Sequence, residues 1–289
     1  MNLTNKCHLS PVHAIALMST NSLTAVLGTF GNVLVCIAVI TIPRLRKISN
    51  FLLFSLAVAD LIVTVACAPL LVAMIDKLAF AHECPTNLEL AYYNTGNLSF
   101  TSSILHLAAI SVDRFLAVVF PLRHNNIMKT YGLKIMLVVV WGIAILFTVI
   151  RVVDETSILA FVLFVLSYLI ITVSYASIFI FLMKERGKRK YLRGTESRPD
   201  AITSKVERRV AFTLAIVILV FSACWFPLII TFFASGKHLV KVHGPAFMWI
   251  RTLAVSNSAM NFLIYSWRIR DFREAYVKIF RRVIGRGSA

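Results

Sequence analysis

The residues in this chain with chemistry to offer are few, and most lie inside long apolar stretches. They are Asp60, Asp113, Arg114, Arg251 and His106, with the amides of Asn32, Asn97, Asn257 and Asn261. An ionised side chain is expensive at the centre of a bilayer span and cheaper toward its ends, so each of these is a functional candidate. Asp60 falls in mid-stretch, where a carboxylate does not stay charged alone. Asp113 and Arg114 stand side by side, acid next to guanidinium, within LHLAAISVDRFLAVVFPLRH. Arg251 could meet a carboxylate or phosphate, or could run its apolar stem out to the interface. His106 is alone and reads as a packed or hydrogen-bonded side chain. No catalytic set accompanies them: there is no HExxH, no G-x-S-x-G and no pair of aspartates at matching depth. The chain is therefore not expected to be an enzyme.

The elements that carry these residues follow from composition. Of 289 residues, 58% are hydrophobic and 15% charged, and the mean hydropathy is +0.80. A soluble domain is nearer a quarter charged, so a second apolar solvent, lipid, is required. A net charge of +17 would suit nucleic acid only if the basic residues shared one folded face. Here they come in bursts between apolar runs, as in cytoplasmic loops, and nucleic acid is excluded as a partner. Seven runs meet the bilayer requirement of roughly 20 apolar residues, over residues 18–42, 49–75, 88–120, 134–153, 157–183, 208–234 and 245–267. The fold class is thus an all-α membrane protein, a seven-transmembrane helix bundle. After Tyr265, Phe272, Ala275, Tyr276, Ile279, Phe280 and Val283 recur at helical spacing among Arg and Lys. This predicts an amphipathic helix on the inner membrane surface, attracted to anionic lipid.

Lys and Arg are concentrated in the segments 43–49, 122–134 and 184–209 and in the tail, which places the N-terminus outside and the C-terminus in the cytosol. The two Lys of GKHLVKVHG count mildly against this. The start, MNLTNKCHLSPVH, has no basic n-region, so the first helix is expected to serve as its own insertion signal. Asn2 then opens a usable glycosylation sequon, Asn2-Leu3-Thr4, while Asn97-Leu98-Ser99 lies within a span. Cys7 and Cys84 fall on the oxidising side, where they form either a disulfide or two free thiols. The expected organisation is an outer N-terminus (1–17), a seven-helix domain (18–267) and an amphipathic tail (268–289).

One polar or ring residue per helix forms a recognisable set. TFGNVLV supplies Asn32, LAVAD supplies Asp60, and SVDRF with Pro121 matches a D-R-Y motif with Phe115 replacing Tyr. Trp141 is the lone fourth-helix Trp and SYASI holds Tyr175. CWFP (224–227) matches C-W-x-P, and NSAMNFLIY (257–265) matches N-S-x-x-N-P-x-x-Y with Phe262 replacing Pro. The chain resembles the rhodopsin-like (class A) G-protein-coupled receptors along its whole length. It departs from them too. Glu89 stands where a Cys usually begins the third helix, and Ser167 where the fifth helix usually has Pro. These absences are reminiscent of the melanocortin and cannabinoid branch, without fixing a subfamily.

The resemblance implies roles. Asp113, Arg114 and Glu207, with Tyr175 and Tyr265, match the activation switch; Glu207 lies 18 residues before Trp225, about 27 Å further down the helix. Asp60, Ser103, Trp225, Asn257, Ser258 and Asn261 match an allosteric sodium pocket, the alternative being a protonated Asp60 in a hydrated network. No other cofactor is implied. The ligand cavity would be lined by Tyr93, Gly96, Asn97, Phe100, Trp225, Leu228, Ile229, Phe232, Met248, Arg251 and Thr252. Gly96 takes the place of the monoamine-binding Asp, so a monoamine is not expected, and Val255 takes the place of the opsin Lys, so neither is retinal. Arg114 and Leu122 would contact a heterotrimeric G protein at the plasma membrane. A seven-helix transporter or channel is the rival by topology, but it predicts internal repeats and broken helix pairs, which the sequence lacks.

Overall fold

The computed structural model describes residues 9–153, 157–191, 200–235 and 244–286. Asn2 and Cys7 lie outside these, and of Glu207 and Phe232 only the helical backbone is described. The described residues are almost entirely helical. Seven long helices run in order: α1 Pro11–Thr41, α2 Ile48–Ala81, α3 Thr86–Val119, α4 Leu133–Val153, α5 Ser157–Tyr191, α6 Asp200–Ser235 and α7 Pro245–Arg268. An eighth, α8, spans Arg270–Arg286, and a short helix at Pro121–Ile127 follows α3.

Prolines and backbone turns set the boundaries. Pro11 and Pro245 sit in the first turns of α1 and α7, where a missing N–H costs nothing. Ile42 and Phe120 precede Pro43 and Pro121 and leave the helical region, as the steric bulk of a following proline demands. His82, with a positive φ of 54°, ends α2.

Helices α1 to α5 are each long and apolar enough to cross a membrane. Helix α6 contributes the apolar stretch Ala215–Thr231. Helix α7 is more polar because it carries Arg251, Asn257, Ser258 and Asn261, all buried. The molecule is inverted relative to a soluble protein. Val26, Val138, Leu146, Ile170 and Leu219 are exposed, while Asn21, Asn32, Asp60, Ser102, His106 and Asp113 are buried without measurable exposure or nearly so. Lipid outside and polar pairing inside produce that pattern.

Helix α3 is central, packing on α2, α4, α5 and α6, while α1 packs on α2 and α7, and α7 on α6. Helix α8 turns back on α7 and α1. Phe272 and Tyr276 of α8 are buried, with Phe272 5.9 Å from the Tyr265 ring. Part of the apolar face expected to meet lipid is therefore taken up by protein. Its outer face carries Arg273, Lys278, Arg281 and Arg282.

The α1–α7 contact is close because of two glycines. A Cβ on Gly28 would come within 2.5 Å of the Thr64 methyl and 3.2 Å of Ala259. A Cβ on Gly31 would overlap the Phe262 ring. Phe262, which replaces the expected proline, thus fills the groove that Gly31 leaves open, and α7 continues through it as unbroken helix. Asn32 Nδ2 closes the same contact by donating to the carbonyls of Gly28 and Ser258, each at 2.9 Å. Gly31→Ala should therefore overpack this seam and lower stability by about 1–3 kcal/mol. Adding Phe262→Ala should recover part of that loss, as thermal unfolding of the detergent-solubilised chain would show. Strict additivity of the two changes would refute the direct contact.

Candidate functional site

The polar residues occur at three levels along the bundle. At the end that loop charge assigns to the outside, Arg251 of α7 is 1% exposed and Glu89 of α3 is 6% exposed. Arg251 Nη2 donates to Glu89 Oε1 at 2.9 Å and to the Tyr93 hydroxyl at 2.6 Å. Its guanidinium carbon lies 4.4 Å from the Phe247 ring centroid, 5.2 Å from that of Tyr93 and 5.4 Å from that of Tyr92. Weakly hydrated and planar, a guanidinium tolerates such a setting better than an ammonium would. Arg251 thus neither reaches the interface nor waits for a ligand's anion, because its carboxylate is internal. Glu89 as its partner was not foreseen. Glu89 and Tyr93 share one face of α3 at i, i+4 spacing, but nothing in the sequence gives the rotation of α7 that brings Arg251 to them.

The other expected ligand-binding residues divide into two groups. Tyr93, Gly96, Asn97 and Phe100 follow one another down one face of α3, and Phe100 meets Trp225 of α6 with ring centroids 4.4 Å apart. Phe164 of α5 and Phe221 of α6 flank Phe100 at 6.2 and 6.1 Å. Leu228 and Ile229 are half-buried on α6. Thr252 and Met248 are buried elsewhere: Asn21 of α1 donates to Thr252 at 2.8 Å, and Met248 packs with Leu17, Leu71 and Met74 of α1 and α2.

At mid-depth, Asp60 of α2 has no exposed surface. Its Oδ2 accepts from Asn261 Nδ2 at 2.7 Å, while Oδ1 is buried without a hydrogen-bond partner. Asn257 Oδ1, Asn261 Oδ1 and Trp225 Nε1 are likewise buried and unpartnered, and Ser103 and Ser258 are buried. Three orphaned oxygens on α2 and α7 suit a hard cation or ordered water. His106 lies deeper in α3. Its Nδ1 donates to the Ser102 carbonyl at 2.7 Å, which leaves Nε2 to accept from the Ser55 hydroxyl at 2.7 Å. Trp141 Nε1 donates to the same Ser55 oxygen at 2.9 Å. This neutral tautomer joins α2, α3 and α4, so His106 is a hydrogen-bonded structural residue.

At the opposite end, which loop charge assigns to the cytosol, Asp113 is wholly buried and Arg114 is 4% exposed. Arg114 Nε and Nη2 donate to Asp113 Oδ2 at 2.9 and 2.5 Å. The other carboxylate oxygen takes His124 Nε2 at 2.8 Å. His124 lies in the short helix after Pro121 and was not foreseen; its place ten residues beyond Arg114 was the only signal. Nothing is described of the Glu207 side chain, so its pairing with Arg114 lies outside the described residues. The hydroxyls of Tyr175 and Tyr265 are buried and unpartnered. Leu122 is 86% exposed beside this cluster. Phe115 packs edge-on against Phe120, with centroids 5.9 Å apart. Cys84 is disulfide-bonded; Cys36, Cys67 and Cys224 are free thiols.

Comparison with known proteins converges on one family. The family described as 7 transmembrane receptor (rhodopsin family) matches residues 31–158 and 153–265. The adenosine receptor A2a of Canis lupus familiaris is 30% identical over 89% of this chain and 70% of its own length. The human adenosine receptor A2a is 28% identical over the same shares. The histamine H2 receptor of Rattus norvegicus is 30% identical over 86% of this chain and 75% of its own length.

The outer pair has a measurable signature. Arg251→Gln alone strands a buried carboxylate and should cost about 3–5 kcal/mol, whereas Glu89→Gln combined with Arg251→Gln, which strands no charge, should cost clearly less. Thermal unfolding of the unaltered chain, both single variants and the double variant measures the coupling. A double variant no more stable than Arg251→Gln would refute it.

Proposed function

The chain belongs to the rhodopsin family of seven-transmembrane receptors, and we propose that it passes an extracellular ligand's signal to a heterotrimeric G protein. It is a multi-pass membrane receptor and not an enzyme. The carrying observation is the inner cluster. Arg114 is buried and held by Asp113, which is held in turn by His124, an arrangement that an active, ligand-bound state would have to release. Release of Arg114 would open a surface for the G protein next to exposed Leu122. Loop charge supports an outer N-terminus and a cytosolic C-terminus. That orientation also supports glycosylation at Asn2 and a disulfide between Cys84 and Cys7, the one cysteine other than the three free thiols.

The ligand enters from the outer half, between α3, α5, α6 and α7, and rests on Phe100 and Trp225. It is not a monoamine. Gly96 offers no carboxylate, and Glu89 already pairs with Arg251 at 2.9 Å. Of the two ligand classes named by the relatives, adenosine, which is uncharged, fits these residues better than histamine, which is a cation at neutral pH. At mid-depth the orphaned oxygens of Asp60, Asn257 and Asn261 would hold a sodium ion as an allosteric ligand.

A ligand screen with second-messenger readouts tests the receptor. Ligand-driven output in the unaltered chain should fall to background in Arg114→Ala, and His124→Ala should raise unstimulated output by loosening Asp113. Equal signalling by Arg114→Ala would overturn the mechanism. Replacing choline by sodium should raise the Tm of the purified chain, with the stabilisation growing by about 1.4 kcal/mol for each tenfold of sodium above its Kd. Asp60→Asn should abolish that shift, and a shift that persists would remove sodium from the site.

A further inference from the structure

Two observations at the outer end bear on what the ligand is. Nη1 of Arg251 is buried without a hydrogen-bond partner, in a side chain 1% exposed. Beside Gly96, three residues below Tyr93 on α3, an added Cβ would meet no heavy atom within 4 Å. On the same face of α3, Tyr93 with the guanidinium it accepts from lies about one turn above Gly96, and Phe100, paired with Trp225 at 4.4 Å between centroids, lies about one turn below it. Tyr93 and Phe100 are seven residues apart, a rise of about 10 Å, which accommodates a flat ring and its substituent.

The charge at this level is already balanced. Arg251 and Glu89 are joined at 2.9 Å in a setting that excludes water. A ligand anion drawn to Arg251 would stand against the Glu89 carboxylate, and a ligand cation drawn to Glu89 would stand against Arg251. Neither repulsion is screened away at low dielectric. A neutral acceptor meets neither, and it satisfies N–H groups that are otherwise stranded.

Building on the receptor function given above, we propose that the ligand is uncharged where it meets α7. It offers a hydrogen-bond acceptor to Arg251 Nη1 and lays a flat apolar or aromatic group beside Gly96, over Phe100 and Trp225.

Three probes of one shape separate the possibilities: benzamide, benzoate and benzylamine, neutral, anionic and cationic at pH 7. Binding to the purified full-length chain is read by saturation-transfer NMR with titration. Benzamide should bind at least about tenfold more tightly than either of the others. Gly96→Leu, which fills the open space, should abolish its binding. The double variant Glu89→Gln with Arg251→Gln, which keeps the shape without the charges, should weaken it about tenfold. Glu89→Gln alone should turn the preference toward benzoate. A preference for benzoate or benzylamine in the unaltered chain, equal binding of the three, no binding of any, or binding that survives Gly96→Leu overturns the proposal. The comparison among probes is made on the unaltered chain and does not depend on any variant folding. Signalling lost in Arg114→Ala while benzamide shows no preference would overturn this proposal alone. Signalling indifferent to Arg114 while benzamide is preferred would overturn the receptor mechanism and leave the site.

Discussion

Lipid gives helices no hydrophobic reason to associate, because the tails outside are as apolar as the side chains facing them. What joins this bundle is close backbone approach and hydrogen bonding between polar groups that have no other solvent. The buried long-range polar contacts named here accordingly cross between helices. Asn32 ties α1 to α7, Ser55 gathers His106 and Trp141 from α3 and α4, Asp60 meets Asn261, and Arg251 meets Glu89. The glycines at 28 and 31 serve the same end by letting α1 and α7 touch. The residues that make the bundle cohere are thus the ones through which a signal would have to travel.

The outer ion pair shows how one departure from a family pattern is compensated. Glu89 stands where the resemblance implies a cysteine, and this position of α3 is tied by charge to α7. A covalent tie holds whatever occupies the cavity. An ion pair ringed by Tyr92, Tyr93 and Phe247 responds to whatever comes near it. In the ligand site proposed above, structural support and ligand recognition would rest on the same side chains.

Much of this was legible in the sequence, though unevenly. Helix order, the buried polar residue on each helix and the α8 amphipathic stripe could be read because hydropathy and spacing are local properties. Helix ends were less legible. The apolar run of α5 stops near residue 183, but the helix continues to Tyr191 through KERGKRKY, since hydropathy reports immersion in lipid and not helicity. Helix α1 likewise begins at Pro11, before its apolar run. The pairings were hidden altogether. Glu89 and Arg251 are 162 residues apart, and their meeting depends on how α3 and α7 are rotated. Nothing local to His124 marks it as a partner of Asp113, because the short helix after Pro121 is what turns it back. That Phe262 fills the space left by Gly31 also could not be seen from either residue alone.

The replacement of proline by Phe262 has a mechanical side. A proline inside a helix removes a backbone hydrogen bond and leaves a compliant joint, as Pro227 does in α6. Helix α7 has no such joint between Arg251 and Tyr265, which are 14 residues, or about 21 Å, apart. It behaves as a stiff lever seated along α1. A tilt imposed at its outer end would be passed along it without a proline hinge to absorb it, and α8, joined to it through the single extended residue Ile269, would follow.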